Sequence, residues 1–476
     1  MLIWSVVLYL LISVAIGLFV ARRVHNTQDF AVAGRSLPVY VVTGTVFATW
    51  FGAETVFGVS ATFVKEGLRG VVADPFGAGM CLIIAGIFFG GKLYKLNVLT
   101  LGDYFRLRYN RTVEVLTTLC IVVSYLGWVS AQIKALGLVF NVVTDGAVPQ
   151  HVGVILGALI VVTYTTFGGM LSVAILDFIQ MIMIMGGLLY IGHIFSGMTG
   201  GVDVVINHAA EAGKLDFFPE ANLAQWMTFF GAWLTLTLGS VPQQDVFQRV
   251  TSAKSARVAI YGSVCGALLY IAFAFVPMFI AYSATLVDPD LFNKLVQEDS
   301  QMVLPALIRQ HTPVIAQVFF YGAVLSAIMS TSSATLLAPS VAFSENILRA
   351  HFPYISDRAF LRMMRITMLC FSVVVLGFAL TSEATIFAMV ENAYKITLAG
   401  AFVPLFFGAF WKRATTQGAL FAIFGGIASW LAIEFAVGSE SLVPPQLIGF
   451  GVSMIGMIVG SLLPQRIGLT HPKAAA

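Results

Sequence analysis

The chain has 476 residues, of which 58% are hydrophobic and only 10% are charged, and its mean hydropathy is +0.90. Soluble domains carry about 25% charged residues, so this composition excludes a soluble globular protein and indicates a membrane protein with many spans. The formal net charge of +3 is small for this length and predicts no nucleic-acid partner.

Apolar stretches of about 20 residues recur along the whole chain and predict transmembrane helices. Thirteen are expected, with approximate bounds 2–21, 38–63, 70–91, 114–143, 150–167, 172–197, 222–245, 257–285, 313–343, 362–381, 385–410, 416–437 and 443–464. The first lacks the basic region and the cleavage site of a signal peptide, so we expect it to be retained. The segments between spans are too short for a soluble domain. We therefore expect one transmembrane domain over residues 1–476 and no fused enzyme.

Lys and Arg are distributed unevenly between alternate loops. One set of loops, together with the C-terminal tail, holds nineteen of the 26 basic residues, among them Arg249 after the seventh span, and the other set holds five. Lys134 and Lys395 fall within predicted spans. Because cationic loops stay in the cytoplasm, the N-terminus is predicted outside and the C-terminus inside a bacterial cytoplasmic (inner) membrane.

The second span contains VFATWFGAETVFG at residues 46–58, in which Gly52 and Gly58, with Thr49 and Glu54, interrupt a helix that should be continuous. A broken helix leaves backbone carbonyls free at membrane depth, which is tolerated where they line a cavity or bind an ion. Small residues also let helices pack closely. The segment alone is therefore compatible with a binding site and with a packing seam.

Ionisable side chains inside predicted spans are costly and need partners. Asp177 is alone in the apolar run of the sixth span, so we expect it to meet a cation or to lie near the cytoplasmic interface. Lys134, close to Gln132 in the fourth span, has no partner in its own helix. It would pair with Glu54, Asp74 or Asp177, or meet a carboxylate of a solute.

The ninth span carries six hydroxyl side chains within LSAIMSTSSATLL, residues 325–337. Four small residues there share one helical face because they are spaced i, i+3, i+4 and i+7: Ala327, Ser330, Thr331 and Ala334. Hydroxyls and a free carbonyl on this face offer the oxygen ligands that a small hard cation such as Na⁺ prefers. Alternatively, Ser and Thr bond back to carbonyls of their own helix and only bend it.

Motifs of catalysis do not compete with these features. The sequence contains no HExxH, GxSxG or phosphate-binding loop, and its seven histidines are scattered. The four cysteines fall in apolar runs, without the spacing of a disulfide framework or a metal site. The polar residues within the spans therefore indicate transport rather than an enzyme.

Six segments, in this order, resemble the sodium:solute symporter family. They are GRSLPVYVVTGTVFATWFGAE, LTLGDYFRLRY, YTTFGGMLSVAILDFIQ, VPQQDVFQRVTSAKS, SAIMSTSSATLLAPS and FVPLFFGAFWKRAT. The resemblance implies an all-α membrane protein of the LeuT-like type with thirteen transmembrane helices. Its ten-helix core of two inverted five-helix repeats would cover residues 38–412, between an extra N-terminal helix and loop (1–37) and two C-terminal helices with a tail (413–476). The second and seventh spans would be broken and would flank the solute.

The resemblance also implies a sodium site between the second and ninth spans. Matched motif to motif, its ligands are the carbonyls of Ala48, Phe51 and Ala327 and the hydroxyls of Ser330 and Thr331. Some members of the family hold a further sodium ion. Asp177 and Ser333 match the ligands of that ion, whereas Ala334 replaces a hydroxyl often found there.

Within the family the chain looks most similar to the choline-transporter branch, through ATW and the pattern PxQxxFQRV. In that branch a tryptophan at the break stacks on a quaternary ammonium, and Trp50 stands at the matching position. The branch has a second aromatic residue after the proline of the seventh span. In this chain Gln243 occupies that position. The predicted solute-binding residues are Trp50, Glu54, Gln132, Lys134, Gln243 and Gln244, with Lys134 balancing charge if the solute is a zwitterion or a carboxylate.

The sequence therefore predicts a secondary active transporter that couples inward Na⁺ movement to uptake of a small organic solute by alternating access. The solute would be an amino acid, a choline-like amine or a carboxylate, and Na⁺ would be the co-transported ion. Proton coupling through Asp177 or Lys134 is the first alternative, and a sensor or a channel with a transporter fold is the second. The sequence names neither the solute, nor the number of sodium ions, nor an oligomeric state.

Overall fold

The computed structural model describes residues 2–220, 222–438 and 441–467. Within them the chain is helical, apart from one isolated bridge between Leu37 and Ala253. The first half contains α1 (Leu2–Ala21), α2 (Thr27–Val32), α3 (Val39–Trp50), α4 (Ser60–Glu66), α5 (Ala78–Ile84), α6 (Gly91–Lys95), α7 (Leu101–Arg108), α8 (Arg111–Val143), α9 (Gln150–Thr199), α10 (Val202–Glu211) and α11 (Leu223–Gly239).

The second half continues the helical pattern. It contains α12 (Gln244–Ser252), α13 (Ala256–Tyr282), α14 (Ala284–Val287), α15 (Pro289–Glu298), α16 (Val303–His311), α17 (Val314–Phe343), α18 (Asp357–Thr381), α19 (Ile386–Ala393), α20 (Lys395–Thr397), α21 (Val403–Phe410), α22 (Thr416–Ala436) and α23 (Pro445–Leu462). Short π-helical turns join several of these, among them Glu54–Val59, Val72–Gly77 and Leu398–Phe402.

Ten helical segments in the described part of the chain are long and apolar enough to cross a membrane, so the predicted all-helical membrane fold is confirmed. The predicted count of thirteen transmembrane helices is not confirmed. The second and seventh predicted spans are split into pieces, of which α3 has 12 residues and α11 has 17. The fifth and sixth predicted spans form the single 50-residue segment α9, which contains a non-helical residue at Gly169.

The kink inside α9 depends on a glycine. Gly169 has a φ of +52° and a ψ of −154°, a conformation that side chains with a Cβ atom rarely adopt. A Cβ atom there would also lie 2.5 Å from the carbonyl oxygen of Phe30. The kink therefore lets the chain turn beside α2. The helical segment that follows the kink places Asp177 in the protein interior.

Helix α17 lies at the centre of the bundle. Every residue from 320 to 342 is buried, and the helix packs against α8, α9 and α18. Its hydroxyl groups therefore face protein rather than lipid, as polar groups at membrane depth must. Helices α22 and α23 pack mainly against each other, with one face of each left exposed.

Candidate functional site at the two helix breaks

The first break lies between α3 and the π-helical turn Glu54–Val59. In a continuous helix the amide of Gly52 would donate to the carbonyl oxygen of Ala48, but it lies 3.0 Å from the carbonyl oxygen of Trp50 instead. The next amide, that of Ala53, donates to Gln132 Oε1 at 2.9 Å. The carbonyls at the end of α3 are therefore released from the helix, as the predicted break requires.

Two hydroxyls of α17 meet one of these released carbonyls. Ser330 Oγ lies 3.1 Å from the carbonyl oxygen of Ala48, and Thr331 Oγ1 donates to the same oxygen at 3.2 Å. Both side chains are fully buried. The structure thus brings together three of the five groups predicted for the sodium site. Phe51 lies in the same break, and Ala327 lies one turn before Ser330 on α17.

The remaining hydroxyls of α17 bond back to their own helix. Ser326 donates to Gly322 O at 2.7 Å, Ser332 to Ile328 O at 2.6 Å and Thr335 to Thr331 O at 2.7 Å. Ser333 donates to Ser330 O at 2.9 Å and does not contact Asp177 through a described hydrogen bond. These side chains satisfy the helix itself. That Ser333 and Asp177 ligate a further sodium ion stays a prediction.

Asp177 finds its cation in Arg249. The guanidinium Nη2 lies 3.5 Å from Asp177 Oδ2, and both side chains are buried. Ser330 Oγ donates to Asp177 Oδ1 at 2.5 Å, and Thr45 Oγ1 donates to Oδ2. The sequence placed Arg249 in a cytoplasmic loop, but it lies in α12 and is 1% exposed. The expectation that Asp177 needs a cation is met by a residue of the protein itself.

Glu54 is held beside the first break by neutral donors. Trp128 Nε1 donates to its Oε1 at 3.1 Å, and Gln132 Nε2 donates to its Oε2. A methyl group placed on Gly52 would lie 2.5 Å from Glu54 Oε2, 2.7 Å from Thr331 Oγ1 and 2.8 Å from Gln132 Oε1. Three side-chain oxygens therefore converge on one face of Gly52.

Aromatic rings cluster on the other side of the break. The ring centroids of Trp50 and Trp128 are 5.0 Å apart, and each lies 5.6 Å from that of Tyr394. Tyr125 stacks on Trp128 at 6.0 Å. We call Trp50, Trp128 and Tyr394 the aromatic cluster. Trp50 Nε1 and Tyr394 OH have no hydrogen-bond partner among the described residues, so both can serve a ligand.

Two further carboxylates are buried near the aromatic cluster. Asp74 accepts from Tyr270 OH through Oδ1, and Asp245 accepts from Tyr125 OH through Oδ1. The second oxygen of each carboxylate has no partner in the described residues. Arg249 is the one buried basic side chain in the described ranges, so acidic groups outnumber basic ones in this region.

Two of the predicted solute-binding residues take other positions. Lys134 is half-exposed and donates to the carbonyl oxygens of Ser382 at 3.0 Å and Ala384 at 2.8 Å, which places it just beyond α18 and away from Glu54. Gln244 Oε1 accepts from the amide of Leu101 at 2.8 Å and fixes the start of α7.

Gln243 is nearer to the site. It lies at the second break, between α11 and α12, and its Nε2 donates to Ser124 Oγ at 2.9 Å. Gln243 Oε1 has no partner among the described residues. Gln243 is therefore available on the α12 side of the aromatic cluster.

A cavity of about 690 Å³ leads away from the first break. Its wall includes Gly58, Glu66, Phe229, Phe387 and Glu391. Gly58 follows Glu54 by one helical turn, and a methyl group placed on it would lie 3.2 Å from Phe387 Cβ. The cavity thus approaches the buried site from the side of the molecule where α4 ends.

Some of the functional residues were missed by sequence reasoning. Arg249 was counted as a loop charge because it lies between the seventh and eighth predicted spans, 222–245 and 257–285. Trp128 and Tyr394 lie in long apolar spans, where aromatic residues are ordinary packing. Asp245 stands next to the predicted Gln243 and Gln244, so its position at a broken helix was a signal that could have been used.

Two discontinuous helices that meet at buried polar groups, within a bundle of membrane-length helices, define a class of ion-coupled membrane transporters. The chain belongs to the sodium:solute symporter family, whose profile matches residues 30–426. The predicted family, the prediction of a transporter rather than an enzyme, and the prediction of Na⁺ as the co-transported ion are thereby confirmed.

The chain is similar to known transporters in sequence and to solved transporter structures in fold. The chain is 27% identical to the human high affinity choline transporter 1 over 468 residues, covering 93% of this chain and 78% of that protein. It is 26% identical to the high-affinity proline transporter PutP of Bacillus subtilis, covering 94% and 95%. A Na⁺-coupled sialic acid symporter in a substrate-bound outward-open state matches with a TM-score of 0.81 at 18% identity, over 96% of both chains. The transporter Mhp1 matches at 0.60 and 15% identity, over 92% of this chain and 94% of Mhp1.

Proposed function

We propose that the protein is a Na⁺-coupled symporter for a small organic cation of the quaternary-ammonium type. The observation that carries this proposal is the aromatic cluster of Trp50, Trp128 and Tyr394, buried beside carboxylates. Aromatic faces attract cations by about 2 kcal/mol or more when the site is desolvated. A quaternary ammonium is a cation without N–H donors, so ring faces suit it better than hydrogen-bond acceptors do.

The charge around the site supports a cation over an anion. Glu54, Asp74, Asp177 and Asp245 are all buried, and Arg249 already pairs with Asp177. A carboxylate solute would add another buried negative charge, which is costly without a cation. Since Lys134 lies elsewhere, the basic side chain expected to receive a carboxylate is missing from the site. The choline transporters among the relatives are in keeping with this assignment.

The ion site in this proposal is the meeting point of the first break and α17. Na⁺ would take the carbonyl oxygens of Ala48, Phe51 and Ala327 and the hydroxyls of Ser330 and Thr331, of which three are already adjacent. Oxygen ligands of this kind suit a small hard cation.

A second sodium ion at Asp177 fits the side chains poorly. Both carboxylate oxygens already accept hydrogen bonds, and Arg249 supplies the positive charge. Ala334 offers no hydroxyl, and Ser333 Oγ is directed at its own helix. We therefore propose one co-transported sodium ion.

The transport cycle follows from the two breaks. We assume the thirteen crossings, the external N-terminus and the bacterial cytoplasmic membrane predicted from the sequence. With this orientation the cavity beside Gly58 and Phe387 faces outward. Solute and Na⁺ would enter through it, and rocking of the bundle would then open the opposite side. One Na⁺ and one organic cation carry two charges, so a membrane potential of 100 mV contributes about 4.6 kcal/mol to inward transport.

The test is uptake into proteoliposomes that contain the purified protein, with choline, proline and acetate as labelled solutes. We expect saturable choline uptake that requires an inward Na⁺ gradient and increases when the interior is negative. Trp128→Ala should raise the KM for choline at least tenfold, whereas Trp4→Ala, which alters a ring that is 76% exposed on α1, should leave it unchanged. The proposal would be refuted if acetate or proline were taken up and choline were not. It would also be refuted if a pH gradient without Na⁺ drove uptake.

A further inference from the structure

We infer that the carboxylate of Glu54 is a direct ligand of the co-transported sodium ion. This inference rests on the proposed sodium site at the first break and adds to it the anionic ligand that carbonyls and hydroxyls do not provide. It also moves Glu54 from the solute, where the sequence placed it, to the ion.

The geometry around Gly52 brings Glu54 into the ion site. The oxygens Glu54 Oε2 and Thr331 Oγ1 lie 2.5 and 2.7 Å from the same point, the position of a methyl group on Gly52. Thr331 Oγ1 in turn lies 3.2 Å from the carbonyl oxygen of Ala48. The released carbonyl of α3 thus accepts from the hydroxyl of Thr331, and this hydroxyl and the carboxylate of Glu54 lie on the same side of Gly52.

The number of oxygens also suits sodium. Ala48 O, Ser330 Oγ, Thr331 Oγ1, Glu54 Oε2 and Gln132 Oε1 all lie around the break. Gly52 has no side chain, so nothing on that residue separates the oxygens of Glu54, Thr331 and Gln132. Any larger residue at this position would fill the space in which they converge.

The balance of charge selects Glu54 over Asp177. Both carboxylates flank the Ser330–Thr331 pair, and both are buried. Asp177 has the guanidinium of Arg249. Glu54 receives hydrogen bonds from Trp128 and Gln132, which are neutral, and forms no ion pair within the described residues. A buried carboxylate at membrane depth needs a cation, and the cation that this transporter binds at Thr331 is sodium.

Two neighbours hold the carboxylate in the orientation that an ion site needs. Trp128 Nε1 engages Oε1 at 3.1 Å, and Gln132 Nε2 engages Oε2, while Gln132 Oε1 is fixed by the amide of Ala53 at 2.9 Å. Each contact also connects the carboxylate to a wall of the site. Trp128 belongs to the aromatic cluster. An ion that fixes the position of Glu54 would therefore also fix one of the rings that face the solute.

This connection gives the coupling a physical route. Sodium would fix Glu54, Glu54 would fix Trp128 through its indole N–H, and the fixed ring would bind the organic cation more tightly. By thermodynamic reciprocity the solute would raise the affinity for sodium by the same factor.

The test measures sodium alone, so the identity of the solute does not enter. Equilibrium binding of ²²Na⁺ to the purified protein in nanodiscs is compared between wild type, Glu54→Gln and Glu54→Asp. Glu114→Gln is the matched control, because Glu114 is a buried carboxylate outside the ion site that pairs with Arg111 at 2.8 Å and accepts a hydrogen bond from Asn346 at 3.0 Å. We expect Glu54→Gln to raise the Na⁺ Kd at least tenfold, Glu54→Asp to raise it about threefold, and Glu114→Gln to change it less than twofold.

The outcomes separate this inference from the proposed function. Loss of binding in Ser330→Ala/Thr331→Ala, with wild-type affinity in Glu54→Gln, would overturn the role of Glu54 and leave the sodium site standing. An absence of saturable ²²Na⁺ binding to the wild type would overturn both. Should Glu54→Gln fail to fold, Glu54→Asp carries the test, and a wild-type Kd in that variant would overturn the inference. Na⁺-dependent quenching of tryptophan fluorescence that disappears in Trp128→Phe would support the route through the indole.

Discussion

The substitution Gly52→Ala probes the first break at its most crowded point. The added methyl group would lie 2.5, 2.7 and 2.8 Å from oxygens of Glu54, Thr331 and Gln132, and all three distances are shorter than a relaxed carbon–oxygen contact. Overpacking of this kind costs about 1–3 kcal/mol. If Glu54, Thr331 and Gln132 move apart to relieve this overlap, the free-energy cost destabilises the ion-bound state. The Na⁺ Kd then rises about 5- to 150-fold.

The matched control is Gly186→Ala in α9, where an added methyl group would meet nothing within 4 Å. Alanine is favoured over glycine within a helix by about 0.5–1 kcal/mol, so this variant should be as stable as the wild type or slightly more stable. The assay is ²²Na⁺ binding together with thermal denaturation in sodium and in potassium buffer. Gly52→Ala should lose most of the stabilisation that sodium gives, and wild-type Na⁺ affinity in this variant would refute the crowded oxygen site.

Two further substitutions test the roles of the charged side chains of Arg249 and Lys134. Arg249→Gln should destabilise the protein by about 3–5 kcal/mol because it leaves Asp177 buried without its cation, and the double variant with Asp177→Asn should recover part of that loss; strictly additive effects in denaturation experiments would contradict a direct pair. Lys134→Met should cost about 1 kcal/mol of stability, from its hydrogen bonds to Ser382 O and Ala384 O, without changing the preference between choline and acetate in competition uptake. A shift toward choline in Lys134→Met would return this lysine to the solute site.

Much of the fold could be predicted because helices in a membrane must be long and apolar. The first break was visible as glycines and polar residues in VFATWFGAETVFG, and the two useful hydroxyls of α17 could be separated from the rest by their shared face with Ala327. The alternative for hydroxyls in a helix, a hydrogen bond to a carbonyl of the same helix, is what Ser332 and Thr335 form.

Contacts between distant helices were beyond the reach of sequence patterns. Whether Lys134 or Arg249 would pair with Asp177 depends on how α8, α9 and α12 pack, and spacing along one helix carries no information on that. The same holds for the aromatic cluster, since Tyr394 is 344 residues from Trp50 and no periodicity relates them. The charge of the candidate site, on which the proposed preference for a cation rests, follows from these long-range contacts.

The buried Arg249 has a mechanical consequence. Its guanidinium donates to the carbonyl oxygen of Thr45 at 3.0 Å and of Asp245 at 3.1 Å, and it pairs with Asp177, so one side chain joins α3, α9 and α12. Separating any of these helices would leave the charge of Arg249 or Asp177 buried without its partner. Sliding between the helices therefore has a high free-energy cost. The three helix segments should therefore move as one body during the transport cycle, and their amide protons should exchange with deuterium as a single cooperative unit.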